Sequence, residues 1–242
     1  MKSLLVIHSS GRNTRSITRR LTARFVAAWS ARNSGAEIFT RDIGANPPPP
    51  VDEAWIAAAF TLPAERGPAM QDALALSDTL IDEIIRADAV VLGVPIYNFG
   101  MPGQFKTYID QIVRIGRTFD FNVAAVDPYR PLLQPKPVVI ITSAGDGSLH
   151  PGGAMAHFNF LEPHLETILR FIGLSDLRFI RVGYDEFQDD RFKEAMANAE
   201  IAVDKTIDQL VPEPAGIIGS FPARQPPGRE SHNEAVSLAQ EF

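Results

Sequence analysis

The sequence has no cysteine, and that absence excludes several kinds of chemistry. A chain without thiols forms no disulfide, and it offers no thiolate metal site, no iron–sulfur cluster and no cysteine nucleophile. If the protein carries out redox chemistry, the electrons must therefore pass through a bound cofactor.

Excess positive charge and long apolar stretches are missing as well. The chain has 23 lysine and arginine residues against 29 aspartate and glutamate residues, a net charge of −6. Because nucleic acids and anionic membranes attract basic surfaces, we expect neither as a partner. No stretch approaches the roughly 20 apolar residues of a membrane span, and the first apolar run is too short for a secretory signal. We therefore expect a cytoplasmic protein with a small-molecule ligand.

What the sequence does contain is a regular alternation of short apolar runs with segments of helical period. Such runs suit strands that are buried on both faces of a parallel sheet. They occur at residues 4–7, 37–41, 89–94, 138–141 and 177–182. The second run is more polar and is expected nearer an edge. Between the runs, apolar residues such as Ile17, Leu21 and Phe25 recur at helical spacing, which predicts helices.

The alternation of strands and helices predicts one doubly wound α/β domain over residues 1–211. In such a domain ligands bind beyond the carboxyl ends of the strands, so the loops after the first, third and fourth strands matter most. Residues 212–242 are rich in proline, glycine and charge, which is typical of a tail outside the fold.

The loop after the first strand, residues 9–16, has the composition of an anion site. It contains a glycine, two arginines and four hydroxyl groups, and it leads into a helix N-terminus. Free backbone N–H groups and the helix dipole favour anions there, so a phosphate monoester suits this loop. The alternative is an ordinary capping loop, in which Thr14 or Ser16 caps the helix. The glycine patterns of dinucleotide-binding and P-loop motifs are absent.

The loop after the third strand, residues 95–103, combines two aromatic residues, an amide and two glycines. Aromatic faces pack against planar rings, and glycine lets the backbone approach a ligand, so this loop suits a flavin. The alternative is that its aromatic residues only cap the core. A loop of small residues, 143–147, follows the fourth strand and is expected at the same edge of the sheet.

The five histidines do not predict a metal site. His150, His157 and His164 are evenly spaced, but prolines and glycines interrupt any helix that would align them. Because a closed metal site needs converging ligands, we expect no bound metal. His150 is a candidate for contact with a substrate, since it follows the loop 143–147, and a solvated loop histidine is the alternative.

Three segments together resemble the family of FMN-dependent NADH-azoreductases and NADH:quinone oxidoreductases. They are residues 95–99 (Pro-Ile-Tyr-Asn-Phe), 104–110 (Gln-Phe-Lys-Thr-Tyr-Ile-Asp) and 116–119 (Gly-Arg-Thr-Phe). Residues 41–47, 73–78, 141–143 and 171–174 support the resemblance. It implies a flavodoxin-like fold, a three-layer sandwich with a five-stranded parallel sheet in the order 2-1-3-4-5 and helices on both faces.

The resemblance also implies bound FMN and the residues that hold it. These residues are Ser9, Thr14, Arg15 and Ser16 for the phosphate and ribityl chain, Pro95, Ile96, Tyr97, Asn98 and Phe99 for the isoalloxazine ring, and Ser143, Ala144, Gly145 and Asp146 for its pyrimidine edge. The chain departs from the family in a shorter first loop that contains Arg12, and in Ala144 and Asp146, where an arginine and a glycine are usual.

Members of this family are homodimers with flavin sites at the subunit interface. Phe119 and Phe121 are therefore expected to cover the ring of the partner subunit, and with His150 they make up the predicted substrate pocket.

The implied activity is a ping-pong hydride transfer, in which NADH or NADPH reduces the flavin and leaves before a quinone or azo compound takes up the electrons. The flavin ring is the redox centre, so no catalytic side chain is required. The alternative is a flavodoxin-type electron carrier for redox partner proteins. Such carriers usually have a threonine-rich first loop, whereas this loop carries Arg12 and Arg15.

Overall fold

The computed structural model describes residues 3–212, which form a three-layer α/β sandwich. The strands are β1 (Ser3–His8), β2 (Glu37–Asp42), β3 (Ala89–Pro95), β4 (Phe119–Phe121), β5 (Tyr129–Pro131), β6 (Pro137–Ser143) and β7 (Asp176–Val182). The α-helices are α1 (Ile17–Arg32), α2 (Glu53–Phe60), α3 (Pro68–Arg86), α4 (Gly103–Ile112), α5 (Leu161–Phe171) and α6 (Asp190–Leu210).

Five parallel strands make up the central sheet, in the order β2-β1-β3-β6-β7. The predicted order 2-1-3-4-5 is confirmed, with β6 and β7 as the fourth and fifth strands of the sheet. The apolar strand β3 lies at the centre and is buried along its whole length, while the more polar β2 lies at an edge. Composition alone thus separates the central strand from the edge strand.

Both faces of the sheet are covered because successive side chains of a buried strand point to opposite faces. Leu5 and Ile7 of β1 pack into a core with helices α3, α4 and α5. Leu4 and Val6 of the same strand pack into a second core with helices α1 and α6. This arrangement explains why the strands read as continuous apolar runs rather than as alternating patterns.

The strand register brings the carboxyl ends of the strands to one edge of the sheet. His8 of β1 pairs with Gly93 of β3, and Pro95 of β3 pairs with Ser143 of β6, which in turn pairs with Val182 of β7. The loops that follow these strands therefore start side by side, where a doubly wound sheet places its ligand site.

Two features of the structure have no counterpart in the sequence prediction. Helix α2 is only eight residues long, and the antiparallel pair β4–β5 consists of strands of three residues each. Elements this short hold too few residues to show a hydrophobic period.

The predicted tail lies outside the described residues except for Pro212. Within residues 3–212, no helix is long and apolar enough to cross a membrane.

Candidate functional site

A cavity of about 300 Å³ opens at the carboxyl edge of the sheet. Its walls come from the loops after β1, β3, β6 and β7 together with the start of α1. The lining residues are Ser10, Arg12, Arg15, Ser16, Ile17, Pro95, Ile96, Tyr97, Asn98, Ser143, Ala144, Gly145, Asp185 and Glu186. Three of the four loops are those that the sequence predicts at this edge, and the loop after β7 is the fourth.

One end of the cavity is the N-terminus of α1. Ser16 caps this helix, because its Oγ accepts a hydrogen bond from the Arg19 N–H at 3.3 Å. The backbone N–H groups of residues 13–18 have no hydrogen-bond partner within the described part of the chain. Arg15 is exposed beside them and forms no ion pair with any residue between 3 and 212. Unpaired donors, a helix dipole and an unpaired cation together favour an anion at this end.

Arg19 stabilises the conformation of the first loop. Its guanidinium donates to the Ser10 carbonyl at 2.9 Å and to the Arg12 carbonyl at 3.0 Å, and it forms a two-armed ion pair with Asp42 at 2.6 and 2.7 Å. That hydrogen bond to Arg19 lowers the pKa of Asp42. Gly44 completes the support, since a Cβ atom there would overlap the Ser10 carbonyl.

His8, the last residue of β1, lies behind this loop as a neutral group. Burial lowers the pKa of its imidazole, and the nearby positive charge of Arg19 lowers it further, against a smaller opposite effect of Asp42. At neutral pH the ring therefore adds no positive charge to the anion site. Ser9 is fully buried and donates from its Oγ to the Gly93 carbonyl at 2.9 Å, so it ties the loop to β3.

The loop after β3 turns back sharply at the wall of the cavity. Tyr97 and Gly100 exchange two backbone hydrogen bonds of 2.9 and 3.0 Å, and the two residues between them, Asn98 and Phe99, have φ of 47° and 69°. Positive φ is unfavourable for residues other than glycine, so this turn is strained. Asn98 lines the cavity at this turn.

The loops after β3 and β6 are joined directly. The Ile96 N–H donates to the Ser143 carbonyl at 2.8 Å, which extends the β3–β6 pairing to the cavity. Ala144 in turn donates from its N–H to the Val182 carbonyl of β7 at 2.9 Å. The walls contributed by residues 95–98 and 143–145 therefore form one continuous backbone surface.

The wall after β7 adds the two acidic residues of the cavity, Asp185 and Glu186. Asp185 accepts a hydrogen bond from Arg12 at 3.1 Å, so an ion pair links the first loop to the last. The cavity also has five lining residues that are not among the predicted cofactor-binding residues: Ser10, Arg12, Ile17, Asp185 and Glu186. The rule that ligands bind beyond the strand ends applies equally to the fifth strand, and it was the available signal for residues 185 and 186.

Nine of the residues predicted to bind a cofactor lie together in the cavity wall. They are Arg15, Ser16, Pro95, Ile96, Tyr97, Asn98, Ser143, Ala144 and Gly145. The other four lie nearby without lining it. Ser9 is buried behind the first loop, and Thr14 lies in a neighbouring surface depression with Arg12. Phe99 packs against Phe158 in a tilted arrangement with ring centroids 5.6 Å apart, and Asp146 caps the short helical turn that follows it.

The three residues predicted for the substrate pocket do not line this cavity. Phe119 packs against Phe171 at a centroid distance of 4.9 Å, and Phe121, on the same strand, is 42% exposed. The Nε2 of His150 lies 3.1 Å from the Val182 carbonyl, and its Nδ1 lies 3.4 Å from the Glu162 carboxylate. Within one subunit, all three side chains therefore contact the protein's own residues outside the cavity.

Comparison with known proteins places the chain among flavodoxin-like proteins. Residues 2–207 match the family model described as a flavodoxin-like fold. The FMN-dependent NADH:quinone oxidoreductase of Opitutus terrae is 51% identical over 210 residues, which are 87% of this chain and 99% of that protein. The FMN-dependent NADH:quinone oxidoreductase 2 of Trichormus variabilis is 44% identical over 208 residues, covering 86% and 99% of the two chains.

Solved structures show the same fold at low sequence identity. The azoreductase from Bacillus anthracis str. Sterne superposes with a TM-score of 0.76 at 19% identity, covering 86% of this chain and all of that chain (100%). An FMN-dependent NADH-azoreductase from Bacillus anthracis str. Ames Ancestor, solved in complex with FMN, superposes with a TM-score of 0.75 at 18% identity, covering 87% and 100%.

Proposed function

Because this chain belongs to the flavodoxin-like family that contains the FMN-dependent NADH:quinone oxidoreductases, we propose that it is an oxidoreductase that uses FMN to pass electrons from NADH to quinones. The observation that carries the proposal is the cavity itself. It joins an anion site at the start of α1 to a backbone wall with Tyr97 and Asn98, and these two parts suit the phosphate and the planar ring of one ligand.

The chemistry of the cavity fits FMN at both ends. A phosphate monoester needs several hydrogen-bond donors and positive charge, and residues 13–18 offer unpaired N–H groups next to Arg15. A flavin ring presents carbonyl and N–H groups along one edge. The N–H groups of Asn98 and Gly145 have no partner among residues 3–212, so they are free to donate to such an edge.

Each part of the site has a separate task in this proposal. The first loop would hold the phosphate through Ser16, Arg15 and the backbone, with Arg19 keeping the loop in its binding shape. Residues 95–98 and 143–145 would flank the ring and exclude water from one side of it. Asp146, Thr14 and Phe99 remain proposed ligands, since each is the chain neighbour of a residue that lines the cavity.

The chemistry supplied by bound FMN is hydride uptake from a nicotinamide, followed by electron release to an acceptor. The protein contributes position and electrostatics, and no side chain has to form a covalent bond. We propose that quinones and azo compounds are the acceptors, that NADH or NADPH is the donor, and that donor and acceptor use one binding face in turn. A cavity that opens at the edge of the sheet suits several planar molecules.

We also propose a homodimer. The β4–β5 hairpin exposes apolar side chains, with Phe121 42%, Tyr129 49% and Val123 78% exposed. Clustered exposed apolar groups commonly mark contact surfaces. Phe119 and Phe121 would then face the partner's cavity rather than their own. Sedimentation velocity that finds only monomer at micromolar concentration would contradict this part of the proposal.

The proposed activity is tested with the full chain saturated with FMN and freed of excess cofactor by gel filtration. We expect a yellow protein whose visible absorbance is bleached by anaerobic NADH and restored by p-benzoquinone or by an azo dye. A chain that keeps no FMN contradicts the proposal outright. An FMN-loaded chain that neither NADH nor NADPH bleaches contradicts the enzyme and supports an electron carrier instead.

A further inference from the structure

We propose that Glu186 lowers the midpoint potential of FMN bound in the cavity by holding a negative charge against the wall that flanks the ring. The inference rests on the proposed function, and it assigns to one side chain of this protein a tuning role that the flavodoxin-like fold does not require. It makes Glu186 a tuning residue for the electron transfer and not a proton donor or nucleophile.

The position of Glu186 carries the inference. The residue lines the same cavity as Tyr97, Asn98 and Gly145. Its side chain lies directly over Gly145, since a Cβ atom added to Gly145 would overlap the Glu186 carboxylate and would lie 2.7 Å from Glu186 Cγ. Only a glycine at 145 allows this approach. The carboxylate therefore lies at the wall of residues 143–145, one of the two walls proposed to flank the ring.

The charge of Glu186 is not neutralised by a partner. Its neighbour Asp185 pairs with Arg12 and accepts a hydrogen bond from Gln188 at 2.9 Å. Among residues 3–212, in contrast, the Glu186 carboxylate has no hydrogen bond and no ion pair. The Arg12–Asp185 pair contributes little net charge. Glu186 therefore makes the part of the cavity near residues 143–145 negative, whereas Arg15 makes the part near the start of α1 positive.

The loop that carries Glu186 is held in place rather than free to swing away. Backbone hydrogen bonds run from the Glu186 N–H to the Gly145 carbonyl at 3.2 Å and from the Asp185 N–H to the Ala144 carbonyl at 3.4 Å. Tyr184 and Gln188 bound the loop with φ of 67° and 52°. Strained residues of this kind persist only where the surroundings impose them, and they concentrate at functional sites.

A fixed charge beside a flavin changes its affinity for electrons. Electrons added to the ring increase its negative charge, which a nearby carboxylate repels, so the reduced form is destabilised relative to the oxidised form. Glu186 is exposed in the single chain, so water partly screens its charge and the expected effect is moderate. Glu186 would thus make bound FMN a stronger reductant towards its acceptor.

The test is a redox titration of the FMN-loaded full chain against a reference dye, comparing the natural protein with Glu186→Gln. Glutamine keeps the size and the hydrogen-bonding oxygen but removes the charge. We expect the ratio of reduced to oxidised FMN at a fixed solution potential to rise about tenfold, which is about 30 mV for a two-electron couple. Glu186→Asp, which keeps the charge, should shift the ratio far less.

Asp190→Asn is the matched control, because it removes one carboxylate four residues away. Asp190 is 97% exposed, pairs with Lys193 and lies outside the cavity, so its loss should leave the potential unchanged. Equal potentials for the natural protein and Glu186→Gln, or equal shifts for Glu186→Gln and Asp190→Asn, overturn the inference. If the natural protein binds FMN and is bleached by NADH in that case, the proposed function still stands. A natural protein that binds no FMN overturns both.

Discussion

At the scale of single residues, the charged side chains around the cavity differ in whether the protein's own groups already pair with them. Arg15 is not paired in this way, since it is exposed and has no ion pair within residues 3–212. Arg19 is paired, because all its hydrogen-bonding arms are used by Asp42 and by two loop carbonyls. Two arginines four positions apart thus have different roles, which their exposure and partners reveal.

This difference predicts the effect of Arg15→Gln on cofactor binding. Loss of one charge-assisted hydrogen bond, worth about 1.5–3 kcal/mol, should raise the dissociation constant of FMN about tenfold to a hundredfold. Titration of FMN fluorescence with protein measures this dissociation constant. Riboflavin, which has no phosphate, should bind equally well to both proteins. Arg20→Gln is the control, since Arg20 pairs with Glu200 on the surface. Equal FMN affinity in Arg15→Gln and the natural protein would remove Arg15 from the phosphate site.

Site residues with a distinctive local composition can be predicted from the sequence. Ser16 could be recognised as a helix cap, and the loop 95–103 could be recognised from its mixture of aromatic, amide and glycine residues. Glu186 belongs to no motif, and only its place after the fifth strand indicates the cavity. Its contact with Gly145 becomes visible only in the folded chain. His150 shows the reverse case, where a polar residue near the right loop turns towards the Val182 carbonyl. Side-chain direction in a loop depends on tertiary contacts that spacing does not encode.

At the scale of elements, helices α3 and α4 are joined by a buried cation. Arg114 follows α4 and is only 1% exposed, and its guanidinium forms an ion pair with Asp78 of α3. Burial lowers the pKa of Arg114, and the hydrogen bond that its guanidinium donates to Asp78 opposes that effect. Asp78 also pairs with Arg117, so one carboxylate fixes the start of the chain segment that leads to the β4–β5 hairpin.

Asp78→Asn should therefore destabilise the fold markedly. The substitution leaves a buried guanidinium without its counter-charge, and we expect a loss of about 2–3 kcal/mol in the free energy of unfolding. Asp82→Asn, one turn along the same helix, removes a 66% exposed partner of Arg117 and should cost less than about 1 kcal/mol. Urea unfolding monitored by circular dichroism compares the two variants. Similar losses in both would show that the pair with Arg114 is not the stabilising contact.

The elements themselves follow the sequence to different degrees. Strands β1, β3 and β6 are long apolar runs, and the period of Ile17, Leu21 and Phe25 matches the buried face of α1. The β4–β5 pair escapes prediction because its residues are mostly exposed and its strands hold three residues each. It is stabilised by packing of Phe119 and Tyr129 on Phe171, a contact between segments far apart in the chain.

At the scale of the whole molecule, acid stability depends on a carboxylate buried between α5 and β7. Glu162 is 5% exposed. Burial alone would raise its pKa, but hydrogen bonds from His150 and Arg181 outweigh that effect and lower the pKa to about 2 from the usual 4.5. A lowered pKa in the folded state stabilises the protein above about pH 4.5 and ceases to do so as the pH falls towards 2.

We therefore expect Glu162→Gln to be less stable than the natural protein by about 3 kcal/mol at pH 7, and by much less at pH 3. Urea unfolding at the two pH values measures the difference. Glu166→Gln is the control on the same helix, since Glu166 is 47% exposed and pairs with Arg170 only at the surface. A difference between Glu162→Gln and the natural protein that does not change with pH would contradict this account.

The strained turn at Asn98 and Phe99 bears on how the thermal stability of such a protein can be raised. Each positive φ at a residue other than glycine costs on the order of 1–3 kcal/mol, so glycine at either position would raise the melting temperature. Selection for thermostability alone would favour glycine at these positions. The substitution would remove the Asn98 side chain next to the cavity or the contact of Phe99 with Phe158. Laboratory evolution of this enzyme class for robustness should therefore hold these two positions constant and seek its gains elsewhere.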